Sequence, residues 1–156
     1  MTLLGGQGTA GGLFQKGLES LAAGETLAAL AYFEKSFKED PSPECKSFLA
    51  LMIASERGQV KEAVELCEQA VAEAPEAVRC HLNLGRVLVK AGRKAEAIEA
   101  VRRGLGLAGA GAPHAAEGEA FLNSLGTRRK PVLPFLPRRS FINKYLGIAL
   151  SRLGLR

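Results

Sequence analysis

The chain has 156 residues, enough for one domain that buries roughly 70% of the surface its unfolded form exposes. A hydrophobic content of 47% and a charged content of 24% exclude a disordered chain, and no apolar run nears the ~20 residues of a membrane-spanning helix. The net charge of +5 is uneven: Met1 to Leu125 carries 13 Lys and Arg against 16 Asp and Glu, net −3, whereas Gly126 to Arg156 carries 8 and no acid, net +8.

The first segment, MTLLGGQGTAGG, has neither a basic start nor a continuous apolar core, so it does not read as a secretory signal. It contains G-x-G-x-x-G from Gly6 to Gly11. A dinucleotide fingerprint needs a strand before it and a βαβ unit around it, and only four residues precede Gly5. Residues 1–9 are therefore expected to be a flexible N-terminus.

A fixed period organises residues 10–109. Gly24, Gly58 and Gly92 are spaced by 34, as are Ala29, Ala63 and Ala97. Phe33, Cys67 and Val101 share an apolar column, and Pro41 and Pro75 share another, which Gly109 continues. Each unit predicts two helices around a glycine turn. In the third, Leu82, Leu84, Leu88 and Val89 recur at helical spacing before Gly92, and Ala97, Ile98 and Val101 after it. Glycine suits the left-handed end of a helix, while Ser42 and Pro43 suit the cap and first position of the next. The alanine column should face the partner helix, where only a short side chain allows close approach. Gly17 and Gly85 allow the same approach from the first helix of each pair, and Leu51 in that column should open the second unit slightly.

In these positions the chain resembles the tetratricopeptide repeat family. The pattern stands in AAGETLAALAYFEKSFKEDP, in ERGQVKEAVELCEQAVAEAP and, but for its last position, in KAGRKAEAIEAVRRGLGLAG. The family's first-helix aromatic is missing, with Leu13, Ser47 and His81 in its place. The resemblance implies an all-α solenoid of three helix pairs, generally a non-enzymatic scaffold, whose first helices line a concave groove for a peptide or helix.

Carried over unit by unit, the groove positions are Phe14, Leu18 and Leu21, then Cys45, Phe48, Met52 and Ser55, then Arg79, Leu82, Arg86, Val89 and Lys90. The site expected to carry function is Phe14, Leu18, Phe48, Met52, Arg79, Leu82, Arg86 and Lys90: an apolar groove with one basic end, in which Arg79 and Arg86 orient an acidic group of the ligand. The subfamily that clamps a terminal carboxylate uses basic and asparagine side chains where this chain has Phe14, Leu18, Leu49, Arg79 and Asn83. Only Arg79 fits, so a partner with apolar anchors and some acid is expected instead.

Catalytic and metal chemistry is poorly supplied. There is one aspartate, Asp40, and the two histidines, His81 and His114, sit on different helices without further ligands at metal spacing. Cys45, Cys67 and Cys80 lack a CxxC pair, and Cys67 falls in a core column, so free thiols in a reducing, cytoplasmic setting are expected. The chain reads as a non-enzyme with no cofactor and no metal.

Beyond the repeats, residues 110–126 read as a capping helix ended by Gly126. Residues 127–139, TRRKPVLPFLPRR, read as an extended basic and proline-containing strap. Residues 140–156 read as a C-terminal amphipathic helix with Ile142, Tyr145, Leu146, Ala149 and Leu153 on one face. The function expected is a protein-binding adaptor or scaffold whose ligand is a protein or peptide, with self-association as one form. The alternative is a membrane- or nucleic-acid-associated protein that uses its basic tail. Arginines without interleaved aromatic residues weigh against that alternative.

Overall fold

The computed structural model describes residues 7–109 and 111–126. The strap and C-terminal helix expected at 127–139 and 140–156 lie outside the described residues. Seven α-helices occur among the described residues, all in the unit Met1–Leu125: α1 (Gln7–Ala22), α2 (Thr26–Glu39), α3 (Pro43–Met52), α4 (Val60–Glu73), α5 (Val78–Lys90), α6 (Lys94–Ala108) and α7 (Ala115–Ser124). A π turn, Ile53–Arg57, continues α3.

The periodic residues act where their chemistry suggests. Gly24, Gly58 and Gly92 close the first helix of each pair at φ of +79°, +67° and +76°, a conformation in which a Cβ is strained. The Ser42 hydroxyl accepts from the Cys45 amide at 3.3 Å, with Pro43 at the first helical position of α3. Gly109, which stands where the earlier units close with proline, ends α6 at φ +79°.

Close approach then builds the pairs. Ala29, Ala63 and Ala97 are wholly buried. A Cβ on Gly17 would stand 2.6 Å from the Phe33 ring, and one on Gly85 would stand 2.6 Å from a Val101 methyl and 3.3 Å from the Ala97 carbonyl. Within α6, Gly104 leaves room for His81, which a Cβ would meet at 2.5 Å. Leu51 occupies the glycine column in the second unit, and the helix widens into its π turn two residues later. A wide turn after a bulky residue in the close-approach column fits the slight opening expected there.

Between pairs, the first two units meet through three rings. Phe33 and Phe48 stack with centroids 5.3 Å apart, and Phe14 lies 5.7 Å from each. The second and third units meet through a polar bridge, in which buried Asn83 donates to the Ser47 hydroxyl at 3.0 Å. Leu122 of α7 joins Leu82 and Val101 in an apolar cluster that covers the end of the third unit.

One expectation needs correction. Helix α1 starts at Gln7 and runs through Gly8, Gly11 and Gly12, although residues 1–9 read as flexible and glycine disfavours a helix interior. Tertiary docking outweighs propensity here. Ala10 is buried against α2, and its carbonyl accepts the Ser36 hydroxyl at 3.0 Å. Gly8 and Gly11 therefore sit within a helix rather than in a phosphate-binding loop.

Replacing Ala63 by Phe should overpack the α3/α4 contact and destabilise the protein by about 1–3 kcal/mol. The measurement is the urea unfolding midpoint; an unchanged midpoint would mean that this column does not face the partner helix.

Candidate functional site

The groove between the first helices is a cavity of about 510 Å³, within the roughly 300–1,000 Å³ span of ligand pockets. Leu18 and Leu21 come from α1, Phe48, Leu51 and Met52 from α3, Ser55 from the π turn, Arg79 and Arg86 from α5, and Glu117 from α7. The apolar residues recur at helical spacing because one face of α1 and of α3 is turned toward the opening. Phe48 and Met52 form a floor with little open surface, at 5% and 2% exposure, whereas Leu18 and Leu21 are only half-buried and form the accessible apolar wall.

Of the residues expected at the site, Leu18, Phe48, Met52, Arg79 and Arg86 line this cavity. Phe14 does not; its ring is spent on the contact between Phe33 and Phe48. Leu82 has to be corrected outright. It is 1% exposed and packs with Val101 and Leu122, because the neighbouring α6 and α7 claim that side of α5. Cys45 is likewise buried, with its thiol against the Phe33 carbonyl at 3.6 Å. Lys90 and Val89 are exposed at the end of α5, outside the cavity lining.

Sequence reasoning missed Leu51, Thr26 and Glu117. Leu51 carried a signal, since it breaks a glycine column; Glu117 carried none, because the register of α7 against α5 follows no repeat.

The basic end is also different from expectation. The Arg79 guanidinium lies 5.4 Å over the Phe48 ring and donates to Glu44 at 2.9 Å. Arg86 lies 6.0 Å over Phe121, donates to Asn83 at 3.3 Å and to Glu117 at 2.7 Å. Each arginine therefore has a carboxylate of its own. The four partners are partly exposed, so each pair contributes on the order of 0–1 kcal/mol and exchanges readily. Arg79 Nε is buried without a partner, so the Glu44 pair leaves that guanidinium incompletely satisfied.

With helix pairs, turn glycines and concave groove in place, comparison with known proteins is direct. Two family models described as tetratricopeptide repeat match residues 14–75 and 54–120, which together span most of the chain. The chain belongs to the tetratricopeptide repeat family. Its fold is similar to the crystal structure of the Sgt2 tetratricopeptide-repeat domain from Aspergillus fumigatus, with a TM-score of 0.56 and 18% identity over 86% of this chain and 93% of that one. A comparison with curated proteins finds no match. Tetratricopeptide repeats are generally non-enzymatic scaffolds for protein–protein interaction.

The positions that clamp a terminal carboxylate in one branch of the family serve the core in this tetratricopeptide array. Leu49 is buried, and Asn83 is turned inward onto Ser47. His81 is buried as well, with Nε2 2.8 Å from the Pro75 carbonyl. No group of three or more metal-ligating side chains occurs among the described residues.

The three cysteines are free and buried. Burial pushes the Cys67 thiol far above its ordinary range, with the Cys80 thiol beside it adding to the shift. Burial raises Cys80 to about 11 despite a hydrogen bond with Ser47 that acts the other way. Burial raises Cys45 too, again against an opposing hydrogen bond, from Ser36. A raised thiol pKa favours the folded state fully below the unfolded value of 9.0, and that contribution is lost as pH rises through about 11. The native protein should therefore react with Ellman's reagent far more slowly than the guanidinium-unfolded chain, which should release three equivalents of thiol. Its urea midpoint should also fall as the pH is raised from 9.0 toward about 11. Rapid labelling of any one cysteine in the native state would show that its cover opens.

Proposed function

We propose that this protein is an adaptor that holds a peptide or helix of a partner protein in the groove between its first helices, with Leu18, Phe48, Met52, Arg79 and Arg86 as the contact residues. One observation carries the reading: half-buried Leu18 and Leu21 stand across a 510 Å³ cavity from two arginines already held in place by rings and hydrogen bonds. An apolar wall opposite pre-positioned donors suits a ligand with one apolar and one polar edge. A reducing, cytoplasmic setting belongs to the same proposal, supported by three free thiols. No helix among the described residues is long and apolar enough to cross a membrane. Lys90 is proposed as an outlying contact at the rim, and Leu82 and Phe14 as supports beneath the groove rather than contacts.

Replacing Leu18 by Asp places a charge on the accessible apolar wall without emptying the core behind it. In affinity capture from a native extract, a partner retained by the wild-type protein should be lost by at least tenfold with this variant, while the melting temperature stays within a few degrees. Retention that survives Leu18→Asp but collapses with added salt would assign binding to the basic residues beyond Gly126 instead.

A further inference from the structure

Arg79, Arg86 and Lys90 lie seven and four residues apart on α5, which places all three along one stripe of that helix. Two carboxylates, Glu44 and Glu117, answer the first two. Lys90 has no salt-bridge partner among the described residues, so the stripe keeps one uncompensated positive charge. Both guanidinium groups are fixed by aromatic rings beneath them, and Arg86 by Asn83 besides, so little side-chain entropy remains to be lost on binding.

The distance between the two arginines sets a second constraint. Seven residues of helix span roughly 10.5 Å. A ligand helix running alongside α5 meets that spacing with acids at positions i and i+7, which fall within about 20° of one another on one face. An extended ligand advances about 3.3 Å per residue, so the matching separation is three residues, and an odd separation sends the two side chains to opposite faces. The stripe therefore matches a helix and mismatches a strand. Between its acids, such a helix presents residues i+3 and i+4 on the same side, level with the apolar wall and floor of Leu18, Leu21, Phe48 and Met52.

We infer that the groove's partner is an amphipathic acidic helix with carboxylates seven residues apart and apolar residues between them, the carboxylates exchanging with Glu44 and Glu117 on Arg79 and Arg86. The inference rests on the adaptor reading above and adds the chemistry and the register of the ligand. Exchange is favourable because it replaces partly exposed pairs by carboxylates brought in beside an excluded apolar surface, where charge-assisted bonds are stronger.

The test uses the full chain and synthetic helical peptides with Leu at i+3 and i+4. One peptide carries Glu at i and i+7, a second carries Gln at both, and a third carries Glu at i and i+5, which points the acids to different faces. Fluorescence anisotropy should show the first binding at least tenfold more tightly than either control. Arg79→Gln and Arg86→Gln should each remove most of that advantage and leave binding of the Gln peptide unchanged, while Leu18→Asp weakens all three. Equal binding of the Glu and Gln peptides, still sensitive to Leu18→Asp, would overturn the carboxylate register and leave the groove reading intact. Equal binding of the i+5 and i+7 peptides would overturn the helical register. An advantage for Glu that survives both arginine variants would place the acids on other cations and overturn the inference as well. Binding of no peptide would overturn both this inference and the groove reading.

Discussion

Everything in this array depends on how close the two helices of a pair can come. Ala29, Ala63 and Ala97 on one side and Gly17 and Gly85 on the other remove the side-chain bulk that would hold the backbones apart. With that bulk gone, the larger residues beside them, Phe33, Cys67 and Val101, sink completely into the contact. The groove is a by-product of the same packing. Because the short residues turn one face of each first helix toward its partner, the opposite face is left to line an opening. The second unit relaxes the rule with Leu51, and the groove deepens beside it, where Leu51, Met52 and Ser55 converge.

Most of the fold was legible in the sequence for that reason. A repeat multiplies each weak local signal by its number of copies, so a glycine or alanine that means little once becomes decisive when it returns at a fixed spacing. The turn glycines, the Ser42 cap, the closing glycine of α6 and the existence of α7 all follow from such signals. What did not follow was the start of α1. Its glycines oppose a helix locally, and only the reach of Ser36 to the Ala10 carbonyl explains why the helix continues there.

The groove was legible in part. Periodicity tells which residues share a face of α5, but the rotation of that face is decided by neighbours. Arg79 and Arg86 reach the cavity, whereas Leu82, one turn from each in register, is turned into the contact with α6 and α7. Polar partners were harder still. Nothing local to Arg86 points to Glu117, because that pair spans 31 positions and depends on how a non-repeating helix lies across the last unit. Arg79 and Glu44, 35 positions apart, meet because equivalent ends of successive first helices are neighbours in a solenoid.

Ser47 has a consequence for how the molecule comes apart. Solenoids are often pictured as beads whose neighbours touch lightly, each able to unravel alone. Here one buried hydroxyl accepts from Asn83 of the next unit, while the carbonyl of the same residue accepts the Cys67 thiol of its own pair. Peeling away the third unit would strand that amide and hydroxyl in an apolar interior, and peeling away the first would tear a ring from the Phe14, Phe33 and Phe48 stack. Neither end can fray cheaply past its own cap. A three-unit array tied in this way behaves as a single melting body, and a ligand that grips any one of its units is thereby gripping all of them.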